Sequence, residues 1–336
     1  MQTRQLTKPR VKDVIAPYIL NSTNLTKDYK MNLNDLQHHL TTNANTLRAD
    51  YARLFHGRGN THEGYNFLTV DSVDKVLFAV LFEADVEEDM IVSMLRDFYT
   101  SEGKWEALVI QQRYLKDAPS TIIEGEIPTQ TFAIENGLKY HINFPNAQNI
   151  GFFPDMKIGR SFVRENAKGK NVLNLFSYTC SFSVAAIEGG ASSVVNVDMN
   201  KNVLSIGREN HRLNGLDTKK VHFMPYNILN SWSRIRKAGP YDLIIIDPPS
   251  FQKGSFAATS DYAKIIRRLH EFAATECTVL AALNAPELDT AFIKDIFCEN
   301  SPEFSYIKRL ENLESFPEDD EERSLKNLIF KKGITS

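Results

Sequence analysis

The chain has 336 residues and little cysteine: only Cys180, Cys277 and Cys298. They are too few and too scattered for a disulfide framework and sit in no metal-ligand spacing. A reducing compartment fits this pattern, and no metal is called for. His38 and His39 are adjacent, but no third ligand accompanies them, so a zinc site is not expected. Long apolar runs are missing as well, which excludes a membrane-spanning helix. The start, MQTRQLTKPRVKDV, lacks the apolar stretch of a secretory signal. The expectation is a soluble, cytoplasmic protein. Strong charge of either sign is also absent. The formal net charge is −3, so no global basic field advertises nucleic acid. A local one is open at the N-terminus, where Arg4, Lys8, Arg10 and Lys12 precede the first acid. A solvated tail explains that cluster first, an RNA-contacting arm second. Repeats and low-complexity tracts are lacking too.

What is present is core-forming material, 42% hydrophobic residues, enough for about two domains. Leu33, Leu36, Leu40, Leu47, Tyr51 and Leu54 recur at helical spacing, which predicts an amphipathic helix or two up to Phe55. Strands are expected over Tyr65–Val70, Val76–Phe82 and Trp105–Gln111, with a helix over Val86–Tyr99. Asn136-Gly137 between two short apolar runs reads as a type I′ hairpin turn. From about Ala147 strands and helices alternate. Strands are expected at Asn171–Phe176, Ser193–Asp198, Val221–Met224, Tyr241–Asp247 and Thr278–Leu283, and two more near Phe304–Leu310 and Leu325–Phe330. Helices fall between them at Ser181–Glu188, Lys201–Asn214, Asp261–Thr275 and Leu288–Phe297. The organisation that follows is a helical segment over 1–55, a small α/β subdomain over 56–146, and over 147–336 an α/β domain with a doubly wound, mostly parallel sheet.

Ligands of such sheets bind beyond the C-terminal ends of the strands. Two ends carry chemistry. After the first strand, Phe176-Ser177-Tyr178-Thr179-Cys180-Ser181 turns tightly into a helix and gathers backbone N–H groups. Asp198 ends the next strand and can accept from both hydroxyls of a ribose; alone, it would more often be a turn former or cap. The turn has no glycine, whereas a dinucleotide pyrophosphate needs G-x-G-x-x-G. NAD and FAD are therefore disfavoured, and a cofactor with an amino-acid carboxylate fits better. The second end is Asp247-Pro248-Pro249-Ser250-Phe251. Its prolines stiffen the backbone and remove two donors, leaving a row of acceptors. Phe251 offers a face for stacking a flipped base.

These stretches resemble the class I S-adenosylmethionine-dependent methyltransferases of 23S ribosomal RNA, above all the branches making 5-methylcytosine and 7-methylguanine. The likeness runs through FFPDMKIGRSFVRENAKGKNVLNLFSYTC and YDLIIIDPPSF, and more faintly through RLFHGRGNTHEGYNFLTVD, which looks like the family's central subdomain. The resemblance implies roles. Phe152, Phe153 and Asp155 match a motif packing over the cofactor. Asn174, Phe176, Ser177, Tyr178 and Thr179 match the motif beside its methionine end. Asp198 matches the ribose acid, Met199 would lie against the adenine, and Asn227 stands where the family has an Asp that accepts from the adenine amino group. Cys180 and Ser181 replace a residue that is commonly glycine, which predicts a less open turn.

The resemblance also separates its two branches. Methylating C5 of cytosine needs a thiolate that adds to the ring, placed by that branch just after the strand following Asp-Pro-Pro. Thr278–Pro286 contains no cysteine, and Cys277 lies at the wrong end of its strand. Asn284 could correspond to an asparagine of the guanine-N7 branch. The expectation is an enzyme using S-adenosylmethionine to methylate a nitrogen of a ribosomal RNA base, with Asp247, Pro248, Pro249 and Phe251 at the chemical end. Large-subunit RNA would be its partner, and a homodimer is compatible. Alternatives are a methyltransferase of proteins or small molecules, a non-catalytic RNA-binding assembly factor, and a nucleotide-dependent oxidoreductase. His56 would shape a turn, and the acidic stretch Pro317–Arg323 would be a solvated loop.

Overall fold

A computed structural model describes residues 32–84, 87–145, 148–249, 251–252 and 256–333. The basic segment Arg4–Lys12 and Ser250 lie outside the described residues, as do the side chains of Phe251 and its neighbours up to residue 259. Helix α1 (Leu33–Ala44) precedes a five-stranded sheet in the order β1-β2-β3-β4-β5. Its strands are β1 (Ala52–His56), β2 (Leu68–Val73), β3 (Val76–Leu81), β4 (Ala107–Gln112) and β5 (Ser120–Gly125). Helix α2 (Glu88–Glu102) crosses from β3 to β4, which are parallel; the other pairs are antiparallel. Central β2 and β3 are buried along their whole length. The helical reading of 45–55 is corrected: α1 ends at Ala44, and Leu54 and Phe55 are core residues of β1. A 3.6-residue spacing does not reveal that these residues pair with β2, and that pairing decides their conformation. β5 also escaped the sequence reading, because it is a largely exposed edge without apolar alternation.

The hairpin β6 (Phe132–Glu135) and β7 (Leu138–His141) turns at Asn136 and Gly137, with φ of 50° and 81°. The larger sheet follows, built from β8 (Asn171–Leu175), β9 (Ser193–Val197), β10 (Val221–Met224), β11 (Tyr241–Ile246), β14 (Ala273–Leu283), β15 (Phe304–Leu310) and β16 (Lys326–Lys332). The two-residue strands β12 (Phe251–Gln252) and β13 (Phe256–Ala257) pair separately. Strand order is β10-β9-β8-β11-β14-β16-β15, parallel through β14 and antiparallel beyond. The chain winds outward from β8 to β10, then returns to start again at β11 on the other side of β8. That reversal opens a crevice above the ends of β8 and β11.

Helices cover both faces. α3 (Lys157–Asn166), α4 (Ser181–Glu188) and α5 (Lys201–Leu213) are joined by α6 (Trp232–Ala238), α7 (Ala258–Ile266) and α8 (Thr290–Asn300). In β11, Ile244 and Ile246 pack with Ile265, Ile293 and Phe297, whereas Leu243 and Ile245 pack with Val163, Phe182 and Ala186. A strand buried on both faces is apolar, as β11 is from Leu243 to Ile246. The helix expected up to Thr275 is corrected: α7 stops at Ile266, and β14 begins at Ala273 in register with Tyr241. The acidic loop is also anchored rather than merely solvated. Asp319 N donates to Gly59 O at 2.9 Å, and Glu322 accepts from Thr290 N at 2.6 Å at the start of α8. Among the described residues no helix is long and apolar enough to cross a membrane, and no cluster of three or more His, Cys, Asp or Glu could hold a metal.

One buried ion pair ties the hairpin to the larger sheet. Arg160 on α3, 1% exposed, donates to both Glu135 carboxylate oxygens, at 2.7 and 2.6 Å. Removing one partner strands the other charge in the interior. Glu135→Ala should therefore cost about 3 kcal/mol or more in denaturant unfolding; a loss below about 1 kcal/mol, the worth of an exposed pair, would show that water reaches Arg160.

Candidate active site

The turn after β8 is built from residues that rarely take such a shape. Phe176, Tyr178 and Cys180 have φ of 58°, 46° and 63°, the left-handed region that costs a non-glycine residue roughly 1 kcal/mol each. Hydrogen bonds hold it there. Asp198 Oδ2 accepts from Tyr178 N at 3.0 Å, and Oδ1 accepts from Asn200 N at 2.9 Å. Ser177 N donates to Val197 O at 3.2 Å, and Thr179 Oγ1 to Gly151 O at 2.7 Å. Cys180 is wholly buried and faces α5, where a Cβ on Gly207 would stand 2.4 Å from its Sγ. The bare Gly207 thus makes room for the cysteine that replaces glycine in the turn. Cys180 therefore does not narrow the crevice: its thiol points away, and burial pushes its pKa far up, so it is no nucleophile, whereas Ser181 lines the cavity.

A buried polar relay supports the turn from below. Asn174 Nδ2 donates to Asn196 Oδ1, and Asn196 Nδ2 to Ser183 Oγ, both at 2.9 Å. Ser183 Oγ lies 3.0 Å from His211 Nε2, and His211 Nδ1 lies 2.7 Å from Gly207 O. A carbonyl only accepts, so Nδ1 carries the proton and Nε2 accepts from the serine. Burial lowers the His211 pKa and keeps the ring neutral.

The crevice holds a cavity of about 480 Å³. Phe153, Asp155, Phe176, Ser177 and Tyr178 line it, as do Asp198, Met199 and Asn227 on one side and Asp247, Pro248 and Pro249 on the other. Three residues expected at the cofactor stand behind this lining. Phe152 packs between Tyr51 and Tyr140 under the Arg160 guanidinium, whose Cζ is 4.3 Å from the ring centre. Asn174 belongs to the relay and Thr179 to the turn. Asn227 Oδ1 already accepts from Leu229 N at 2.9 Å, so only its second lone pair and its amide are free for a ligand.

Several lining residues had no sequence signal. Arg113 arrives from the end of β4, Asn149 from the loop before the domain, and Arg160 from α3. Asn284 lines the cavity from the loop after β14. Beneath that loop, fully buried Lys326 donates to Ser324 O at 2.9 Å and Ala285 O at 3.4 Å. The Tyr262 hydroxyl, 3.0 Å from Ala282 O and 3.4 Å from Ile246 O, ties the ends of β14 and β11 together.

The cavity's electrostatics are those of crowded carboxyls. Burial, then the neighbouring Asp155 charge, pushes the Asp247 carboxyl up to about 7, against a downward pull from Arg160. Asp155 and Asp198 are also raised by burial. Three buried atoms of lining residues, Asp155 Oδ1, Arg160 Nη1 and Ser177 Oγ, lack any protein partner. An unused carboxylate oxygen and an unused guanidinium nitrogen complement the ammonium and carboxylate of an amino acid. Three acids suit a ligand of net positive charge, and no glycine cradle is present for a diphosphate. These residues fit the cofactor that the resemblance implies.

A doubly wound sheet with a ribose-type acid and an acidic, glycine-poor cavity at its switch point defines a nucleoside-cofactor enzyme. The chain belongs to the S-adenosylmethionine-dependent methyltransferases: residues 52–331 match that family's model. Its cofactor is S-adenosylmethionine. It is 35% identical over 197 residues to a ribosomal RNA large subunit methyltransferase I of Aeromonas hydrophila, and 33% over 195 residues to that of Yersinia pseudotuberculosis. Each match covers 56% of this chain and 49% of the relative, so the chain spans about half the length of these curated relatives. A structure assigned as a methyltransferase and complexed with SAH superposes with a TM-score of 0.80 at 25% identity, covering 91% of this chain and 83% of that one. The fold alone is shared with aTrm5 in its complex with tRNALeu, with a TM-score of 0.59 and 14% identity over 82% of this chain and 76% of that one.

Asp198 holds the Tyr178 amide and stands where the resemblance implies a ribose acid. Hydrogen bonds to a charged group contribute about 1.5–3 kcal/mol. Asp198→Ala should weaken S-adenosylmethionine binding by about ten- to a hundredfold in calorimetric titration, and unchanged affinity would remove Asp198 from the cofactor site.

Proposed function

We propose that this protein transfers the methyl group of S-adenosylmethionine to a nitrogen of a base in large-subunit ribosomal RNA. The names of the curated relatives support the RNA. One observation carries the choice of nitrogen: acceptors face the cavity at Asp247-Pro248-Pro249, and no thiol does. Cys180 lies under the turn, Cys277 in the core of β14, and Cys298 is exposed on α8. C5 chemistry would have no nucleophile. A cytoplasmic location goes with this reading.

When bound, the cofactor supplies a methyl group on a sulfonium leaving group. The chain's own task is to hold the accepting nitrogen in line, and orientation of this kind can contribute several kcal/mol. Asp247 in its carboxylate form accepts from an amino or imino group of the base. Pro248 and Pro249 fix the backbone beside it and offer no competing donors. Asn284 lines the same cavity from the loop after β14 and adds an amide to the face that meets the base. Phe153, 41% exposed at the cavity, supplies aromatic surface for stacking.

The test is transfer of labelled methyl from S-adenosylmethionine to RNA and protein from cells lacking the gene. Label should enter one RNA species and fall about a hundredfold or more with Asp247→Ala, the usual scale for a positioned acid–base group. Label in protein alone would overturn the reading. The acceptor is the carboxylate, so kcat/KM should rise with pH through about 7, the position of the Asp247 carboxyl. Removing the neighbouring charge with Asp155→Asn should move that midpoint to lower pH. A midpoint that stays fixed would mean another group controls the profile.

A further inference from the structure

Two arginines at the edge of the cavity are held together with no acid paired to them among the described residues. Arg58 lies in a tight 3-10 turn, Gly57–Gly59, directly after β1. Its flanking glycines let the turn sit hard against its neighbours: a Cβ on Gly57 would stand 1.8 Å from Tyr65 O, and one on Gly59 1.7 Å from Pro317 O. Arg113 follows β4, and Phe82 follows β3. The register Leu81↔Gln112 puts these last two side by side at one end of the first sheet, with Arg113 N donating to Leu81 O at 2.7 Å. Both guanidinium groups lie over the Phe82 ring, the Arg58 Cζ at 4.4 Å from its centre and the Arg113 Cζ at 5.6 Å.

The ring favours each cation, but among the described residues no acid neutralises the pair. Neither arginine forms an ion pair among the described residues; Arg113 has one side-chain hydrogen bond, Nη2 to Asn149 Oδ1 at 3.2 Å. Glu88, on the helix after Phe82, is engaged by Gln112 and the Tyr114 hydroxyl. Burial and the Arg58 charge both lower the pKa of Arg113, the signature of repulsion that a bound anion would relieve. The pair stands at the chemistry: Arg113 and Asn149 line the cavity, and Asn149 O accepts from the Tyr178 hydroxyl of the cofactor turn at 3.3 Å.

We propose that Arg58 and Arg113, braced on Phe82, form a site for a phosphodiester of the RNA strand whose base enters the cavity. Arginine forks suit phosphate oxygens, and such contacts fix the register of a strand without reading its sequence. The small α/β subdomain would thereby clamp the strand beside the target base. This inference rests on the RNA reading above.

The test measures binding of a labelled RNA oligonucleotide by the full chain across a range of salt concentrations, for wild type and for the double variant Arg58→Gln/Arg113→Gln. The thermal unfolding midpoint reports the intact fold, and affinity for S-adenosylmethionine is measured in parallel. Removing two phosphate contacts should weaken RNA binding about tenfold or more and lower the slope of log affinity against log salt by about 1.5 to 2, with the unfolding midpoint unchanged. RNA binding with an unaltered slope would overturn the phosphate site and leave the RNA reading standing. Loss of cofactor affinity with unchanged RNA binding would assign the pair to the cofactor carboxylate instead. Failure of wild type to bind RNA while it binds cofactor would overturn both.

Discussion

The hydrogen bond from the Tyr178 amide to Asp198 is the constraint on which the site depends. Three left-handed residues in a row of five have no intrinsic reason to stay so, and glycine is absent to relieve them. The Asp198 carboxylate spans the ends of β8 and β9, and the Asn174–Asn196–Ser183–His211 relay locks the strands and helices beneath. Strain at the turn is thus held by a rigid polar base. Because the turn is fixed, its aromatic and hydroxyl side chains face the crevice while Cys180 drops into the gap above Gly207. A sheet whose order reverses between β8 and β11 then sets this turn opposite Asp247-Pro248-Pro249.

Charge organises the rest. The cavity gathers Asp155, Asp198 and Asp247 around one buried guanidinium, that of Arg160, which Glu135 already claims. Burying so many carboxyls disfavours their charged forms, and the cost is tolerated because a cationic ligand offsets it. On the proposed reading, the acids inside serve a positively charged cofactor and the arginines outside serve a negatively charged strand. A near-neutral chain would then handle nucleic acid without a basic surface overall.

Much of this was legible in the sequence where the signal is local. Apolar β11 running into Asp247-Pro248-Pro249, the glycine-free turn and the acid closing β9 all lie in short segments, and their roles follow from strand ends. The hairpin at Asn136-Gly137 was equally readable. What escaped depends on distant partners. Asn174 and Thr179 sit in the right motif but spend their hydrogen bonds on Asn196 and Gly151. Phe152 faces inward because Tyr51 and Tyr140, from other elements, cover it. Arg113, Arg160 and Lys326 carry no periodicity or spacing that marks a buried charge. Leu54 kept a helical spacing although it lies in β1.

The proposed transfer to nitrogen rests on acceptors that face the cavity and cysteines that do not. The most direct measurement is the identity of the modified nucleoside, obtained by digesting RNA methylated by the pure protein and resolving the products by chromatography and mass spectrometry. The account predicts a nucleoside methylated on a base nitrogen. 5-Methylcytidine as the product would contradict it, since that reaction needs a thiolate where this chain presents Asp247, two prolines and Asn284.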